Sequence, residues 1–400
     1  MSLTNNFWKK LLSAIGLAIL FFGCSEQHQE STMYSQIIGD WEEVYNRDND
    51  SPPPFGTSTN GYSFFTDKTV DLKAGIYKQI KGTENKMRFL GTKTRFRIEG
   101  DSLSIFNLSD SSWWSRKILS ITKDYFVLRL DKGKKQKFTR VDYTVDTLHS
   151  FDKIILSSSG CYGTCPILDV IIYSNGNVVF LGERYTTETG FFTATISREQ
   201  FENLQNNFRK ANLKNIETNF SVAWSDDERI STTFVSGDKI YKSIKDYGEA
   251  GPDELVWAYV PLRNLYQTLE LHRLSKEEFP FYLDLHYFRF ENGNQICDLS
   301  QSESFLLWDY LRQGKRTTMP VKNRLELNFN RNYTWSPLPG EFEGDLYNEK
   351  QENKVIKIET DGQFYKFNLS GQQPITIDIG FNFFDNNFNQ EDFREKTQYD

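Results

Sequence analysis

Ser157-Ser158-Ser159-Gly160-Cys161-Tyr162-Gly163-Thr164-Cys165-Pro166 runs directly into Ile167-Leu168-Asp169-Val170-Ile171-Ile172-Tyr173. Two cysteines so close together invite comparison with a redox pair. Such a pair needs a helix N-terminus behind it to stabilise the attacking thiolate. The residues after Pro166 are mostly β-branched and apolar, so they predict a strand instead. The central region therefore reads as strand, turn, strand. Three roles stay open for Cys161 and Cys165. A structural disulfide closing a Gly-rich loop is expected if the chain is exported, and it would contribute about 2 kcal/mol through loop entropy. A reactive thiol pair and a metal site are the alternatives, although no other Cys or His lies near in sequence.

Working outward, strands are predicted at Lys153–Ser158, Asp169–Tyr173, Val178–Leu181 and Phe192–Ile196, with a hairpin turn at Asn175-Gly176. Ser197-Arg198-Glu199-Gln200 has the spacing of a capping box, and the helix it opens carries Phe201, Leu204 and Phe208 on one face. Two further strands, Arg229–Val235 and Lys239–Ile244, flank Ser236-Gly237-Asp238. A second helix starts near Pro252-Asp253-Glu254 with Leu255, Tyr259, Leu262, Tyr266 and Leu269 inward. Sheet plus helices predicts an α+β layer. Asp226 and Asp227 are adjacent carboxylates beside Trp224. Adjacent loop side chains diverge, so turn capping or ion pairing by Asp227 or Asp246 is expected in place of a shared acid/base pair.

Cys161-Tyr162-Gly163-Thr164-Cys165-Pro166 and Val170-Ile171-Ile172-Tyr173-Ser174-Asn175-Gly176 resemble the opening of an uncharacterised domain family. That family is associated with exported proteins of Bacteroidota-type bacteria. The pattern continues through Leu181-Gly182, Gln200-Phe201, Asp226-Asp227 and Lys245-Asp246-Tyr247, covering residues 150–272. The resemblance implies a domain and brings no activity with it.

The N-terminus carries a separate signal. Lys9 and Lys10 precede the apolar run Leu11–Phe22, and Gly23-Cys24 follow. A basic start, a short apolar run and a small residue make an export signal, and the run is short for a membrane span. Gly23-Cys24 resembles a bacterial lipobox, although Phe21 and Phe22 depart from its usual small residues. The resemblance implies a signal peptide over 1–24, lipidation (palmitate) at Cys24, and a lipoprotein anchored to the outer membrane of the cell envelope. Residues 25–33 are then expected to be a flexible tether.

Residues 34–145 alternate in short apolar runs: Trp41–Tyr45, Gly61–Phe65, Thr69–Leu72, Lys93–Ile98, Ser102–Phe106, Arg116–Ile121, Tyr125–Arg129 and Gln136–Val141. Eight short antiparallel strands predict a small barrel. Gly39-Asp40-Trp41 and Gly100-Asp101-Ser102-Leu103-Ser104-Ile105 resemble lipocalin-like domains of bacterial lipoproteins. That likeness implies Trp41 plugging one barrel end and an interior cavity for a small apolar ligand. A barrel filled by its own side chains is the competing expectation. One of Trp113 and Trp114 must face outward. Lys132, Lys134, Lys135 and Lys137 read as a solvated hairpin tip. Asn46, Asp48 and Asp50 alternate as in a calcium loop but lack its central Gly and closing Glu.

Beyond residue 278, strands are predicted at Phe281–Tyr287 and through Leu325, Leu327 and Phe329. A hairpin of Val355–Thr360 and Gln363–Leu369 turns at Asp361-Gly362, and Pro374–Ile379 is the last strand. Ser302 is the expected cap of a helix bearing Phe305, Leu306, Trp308, Tyr310 and Leu311 and ended by Gly314. Cys297 is expected to be a buried free thiol, and residues 384–400 a flexible tail. The fold class is thus mainly β with α+β: a lipocalin-like antiparallel barrel followed by α+β regions at 150–272 and 278–383.

Function is bounded more by what is missing. The 400 residues hold 38% hydrophobic and 15% aromatic positions, enough for packed cores. The net charge of -7 without a basic run argues against nucleic acid. His28, His149, His272 and His286 show no zinc-ligand spacing, and the chain has no HExxH, GxSxG or P-loop. No cofactor or metal is expected. The leading expectation is a non-enzymatic envelope module that binds a small apolar ligand or an envelope protein partner. The alternatives are a thiol protein using Cys161 and Cys165, and a carbohydrate-acting envelope protein with paired carboxylates.

Overall fold

The computed structural model describes residues 31–44, 60–82, 86–147, 150–274, 288–322, 325–329 and 355–398. The signal peptide expected over 1–24 with Cys24, the Asn46–Asp50 alternation and the strand expected at Phe281–Tyr287 lie outside them. The chain forms two compact units, divided near residue 144.

The first unit is a closed barrel. Its strands are β1 (Gly39–Glu43), β2 (Gly61–Phe64), β3 (Thr69–Leu72), β6 (Lys93–Glu99), β7 (Ser102–Asn107), β8 (Ser112–Ile121), β9 (Tyr125–Arg129) and β10 (Lys135–Arg140). A small hairpin of β4 (Tyr77–Gln79) and β5 (Met87–Phe89) interrupts the series. Around the barrel the order is β1-β10-β9-β8-β7-β6-β3-β2, with β1 closing the ring by pairing Trp41 with Arg140 on one side and Tyr62 on the other. All eight predicted strands are barrel strands. The core is filled by side chains, among them Trp41, Phe64, Val70, Phe96, Leu103, Phe126, Leu128 and Phe138. The lysine-bearing tip between β9 and β10 is exposed, as expected.

The tether expectation over 25–33 needs a correction at its end. Residues 31–37 form a helix, α1, and its Met33 and Ile37 join the barrel core. Tyr34 stacks on Phe96 with ring centroids 5.7 Å apart. Trp41 Nε1 donates to the Ile37 carbonyl at 2.6 Å. The Arg140 guanidinium lies 4.2 Å from the Trp41 ring and donates to the carbonyls of Ile38 and Gln36 at 2.9 and 2.8 Å. Apolar burial and these bonds outweigh the polar character of the segment.

The second unit holds two sheets. One comprises β11 (Lys153–Ser158), β12 (Ile167–Tyr173), β13 (Asn177–Arg184), β14 (Gly190–Thr195), β15 (Asn219–Ser221), β16 (Arg229–Ser236), β17 (Lys239–Tyr247) and β18 (His272–Arg273), ordered β15-β17-β16-β11-β12-β13-β14-β18. Every pairing is antiparallel except β15 with β17. Helices α2 (Arg198–Lys210) and α3 (Asp253–Arg263) share a core with one face of this sheet. The Ser197/Gln200 capping box opens α2 as the spacing predicts. Tyr266 lies beyond α3, in a 3₁₀ turn, and stacks on Phe180 at 4.3 Å.

The other sheet comprises β19 (Phe288–Asn292), β20 (Gln295–Asp298), β21 (Lys315–Thr317), β22 (Leu325–Phe329), β23 (Val355–Thr360), β24 (Phe364–Leu369), β25 (Ile375–Asp378) and β26 (Arg394–Glu395), ordered β21-β25-β24-β23-β22-β19-β20-β26. Helix α4 (Gln301–Gln313) shares one core with both sheets: Phe305, Leu306, Leu307 and Trp308 cluster with Ile155 and Ile171 of the first and Phe290, Ile358 and Phe367 of the second. Residues 150–272 and 278–383 are therefore parts of one compact unit.

Two further expectations are corrected here. The cap of α4 is Ser300. Its hydroxyl accepts from Glu303 N, and the Glu303 carboxylate accepts from Ser300 N. Ser302 sits inside the first turn, wholly buried, with its hydroxyl bonded to Thr233. The tail expected to be flexible from residue 384 is packed. Phe383 and Phe384 of α5 (Phe383–Asn387) are buried, Asn387 Oδ1 accepts from Ile240 N at 2.6 Å, and β26 pairs with β20. Phe384, Phe388 and Phe393 form ring contacts that anchor an otherwise polar segment.

Candidate functional site

The barrel carries a half-open pocket of about 290 Å³ beside its filled core. Tyr62 of β2, Leu72 of β3, Ile76, Ile105, Phe106 and Asn107 of β7, and Trp114 of β8 line it. Strand alternation separates the two tryptophans. Trp114 packs against the core and lines the cavity. Trp113 meets Phe106 at 5.3 Å, with the Arg97 guanidinium 4.2 Å from its ring. Burial, helped by Glu43, pushes the Tyr62 phenol up to about 12, so it stays a neutral hydroxyl. The lining is apolar and aromatic with two polar side chains, the usual make-up of a small-molecule site. The strand pattern predicted a barrel and left the choice between cavity and filled interior open; the interior is filled, and the pocket beside it is half open to solvent.

A second constellation gathers where β11 and β12 meet their turn. Cys161 and Cys165 form a disulfide with Cα atoms 5.6 Å apart. The turn passes into β12, so no helix N-terminus faces the sulfurs. Cys297 is the buried free thiol expected, and burial pushes it up to about 12. Ser159 N and Arg229 N exchange bonds with Arg229 O and Ser159 Oγ, both at 2.9 Å. Tyr162 N donates to Asp226 O at 2.8 Å. The cysteine turn is thereby fixed to the loop carrying Asp226 and Asp227.

That loop in turn touches the segment after β17. Gly248 N donates to Glu228 O at 2.9 Å, and Gly248 adopts φ +72°. A Cβ there would collide with Val222 and approach Asp227 Oδ2 to 3.1 Å, so only glycine fits. Asp227 accepts from Trp224 Nε1 at 3.1 Å. Asp246 is wholly buried and caps the 247–251 turn, accepting from Ala250 N at 2.7 Å, Gly251 N at 3.3 Å and the Tyr259 hydroxyl at 3.3 Å. Burial pushes its carboxyl up against the pull of those bonds. The turn-capping role expected of Asp246 is thus seen. Glu228 and Arg263 form a bidentate pair at 2.7 and 2.6 Å, which the sequence did not reveal because 35 residues separate them. Asp226 and Asp227 do not form a shared acid/base pair: Asp226 bonds Ser225 and Asp227 bonds Trp224.

Glu249 lies in this acidic setting. Burial, then the neighbouring Glu228, Asp246 and Asp227, push its carboxyl up to about 7, with Arg263 pulling the other way. The folded state therefore holds a proton that the unfolded chain releases at its ordinary value of 4.5. The resulting stability is fully present below that value and is lost as pH rises through 7. Unfolding free energies from urea titrations at pH 5 and pH 8 should differ by an amount on the order of 3 kcal/mol at full linkage. Glu249→Gln should flatten the slope; an unchanged slope would assign it elsewhere.

Among the described residues, no group of three or more His, Cys, Asp or Glu side chains is placed to hold a metal ion. None of the curated proteins compared matches the chain. Residues 152–266, which carry the cysteine turn, both acidic loops and α3, match a family described as a domain of unknown function (DUF6438).

Proposed function

We propose that this protein is an envelope lipoprotein, anchored through Cys24, whose lipocalin-like barrel binds a small apolar ligand. The observation that carries the reading is the cavity walled by Leu72, Ile76, Ile105, Phe106 and Trp114 in a closed barrel. Its volume of about 290 Å³ suits a compact molecule rather than a long lipid. The Gly39-Asp40-Trp41 start and the export-like N-terminus support the same assignment. In it the cysteine turn is structural: a disulfide between two strands, without the helix dipole that activates a thiolate.

The test is titration with a neutral naphthylamine dye that fluoresces in apolar sites. Wild type should bind saturably, with quenching of tryptophan fluorescence by Trp114. Ile76→Trp should fill the cavity and weaken binding at least about tenfold, the equivalent of 1.4 kcal/mol. Equal dye affinity in wild type and variant, or no saturable binding, would overturn the barrel as the binding module.

A further inference from the structure

Two of the exposed large hydrophobic side chains among the described residues sit in adjoining loops of the second unit. Tyr162, at the tip of the disulfide-closed turn, is 89% exposed, and Trp224 is 45% exposed. Neither is carried on a loose loop. The Cys161–Cys165 bond and the Tyr162 N to Asp226 O hydrogen bond fix the first backbone, and the Trp224 Nε1 bond to Asp227 fixes the second ring. Presenting a large ring in water on a braced turn gains nothing for folding. Tyr and Trp held rigid are the side chains that dominate protein interfaces, because little entropy is lost when they dock.

The charge beside them selects the partner. The segments 159–166, 221–228 and 248–254 contain no Lys or Arg, exposed Arg229 follows the second directly, and Asp226, Asp227, Asp253 and Glu254 lie among them. Glu228 is neutralised by Arg263. We propose that Tyr162 and Trp224 form a docking surface for a basic segment of a partner protein. The aromatic faces take cationic side chains or their alkyl stems, and Asp226 and Asp227 supply the complementary charge. This surface is independent of the barrel cavity, so either assignment can fail alone.

The probe is a fluorescent peptide of alternating Lys and Leu, titrated by anisotropy against the full chain, with a Glu/Leu peptide as its counterpart. The Lys peptide should bind, and the Glu peptide should not. Tyr162→Ala and Trp224→Phe should each weaken binding about fivefold to tenfold, and Asp226→Asn with Asp227→Asn should reduce its salt dependence. Tyr162→Ala removes an almost wholly exposed ring, so an unchanged melting temperature checks that the variant is folded. No binding of the Lys peptide, or equal binding by a variant combining Tyr162→Ala and Trp224→Phe, would overturn the proposal. So would preference for the Glu peptide. Binding of soluble oligosaccharide that depends on both rings, without peptide binding, would assign the surface to sugar instead.

Discussion

Trp41→Ala is expected to destabilise the barrel by about 3–5 kcal/mol, the cost of deleting a wholly buried aromatic. Total stability for such a unit is about 5–15 kcal/mol, so the loss is a large fraction of it. The ring meets Phe126 edge-on at 5.0 Å and supports the Arg140 guanidinium at 4.2 Å. Its indole also holds α1 through Ile37. Removing it should therefore release α1 before the strands melt. Hydrogen exchange at residues 31–38 and a calorimetric scan measure the two effects. A loss under about 1 kcal/mol, with α1 still protected, would mean that Trp41 does not organise this end of the barrel.

Asp309→Ala should destabilise the second unit by a similar amount, about 3–5 kcal/mol. Asp309 is wholly buried. Its carboxylate accepts from Arg312 Nη2 at 2.8 Å, Gln313 Nε2 at 2.6 Å and the Tyr173 hydroxyl of β12. Nearby, the Lys153 ammonium lies 3.7 Å from the Tyr310 ring and 5.2 Å from that of Tyr173. Alanine removes the acceptor shared by Arg312, Gln313 and the Tyr173 hydroxyl and leaves a void at a wholly buried position. Tyr173→Phe removes the hydroxyl's bond to Asp309 and the one it accepts from Gln313 at 2.8 Å, leaves the carboxylate in place, and should cost about 1–2 kcal/mol. Urea unfolding of both variants compares the two. Equal losses would show that α4 is held by its apolar contacts alone.

The N-terminal end of α4 is seated by a different kind of contact. Ser302 N donates to Ser231 Oγ at 3.0 Å, and Thr233 bonds Ser302 at 2.8 Å. This seam explains why α4 lies between two sheets. It also marks where the sequence was readable and where it was not. Most barrel strands were legible as short apolar runs between turn signals, although β8, Ser112-Trp113-Trp114-Ser115-Arg116-Lys117-Ile118-Leu119-Ser120-Ile121, does not alternate cleanly. The β4–β5 hairpin was missed because three-residue strands carry too little pattern. The run Phe305-Leu306-Leu307-Trp308 held the missing information about α4. Four consecutive apolar residues cover every face of a helix, which requires partners on more than one side. Ser300 was identifiable as the cap from Glu303 three residues on, the spacing that Ser302 lacks. The tail was misread because its Asn, Gln and charges outnumber Phe384, Phe388 and Phe393, while three rings at one interface suffice to hold it.

The candidate sites were legible to a lesser degree. The strand after Pro166 argued against a redox pair, while the disulfide itself was expected only of an exported chain. The cavity did not, because free space depends on how Trp114 and Ile105 fill a closed ring. The Glu228–Arg263 pair and the environment of Glu249 depend on loops brought together only by the sheet. Sequence alone names such residues without joining them.

Mass analysis of the mature protein extracted from the cell envelope, alkylated with and without reductant, tests the central claim of an exported, lipid-anchored chain with a structural cysteine turn. The account predicts an N-terminus at an acylated Cys24, Cys161 and Cys165 alkylated only after reduction, and Cys297 alkylated only after unfolding. An unprocessed N-terminus with Cys161 and Cys165 freely alkylated in the native protein would contradict it.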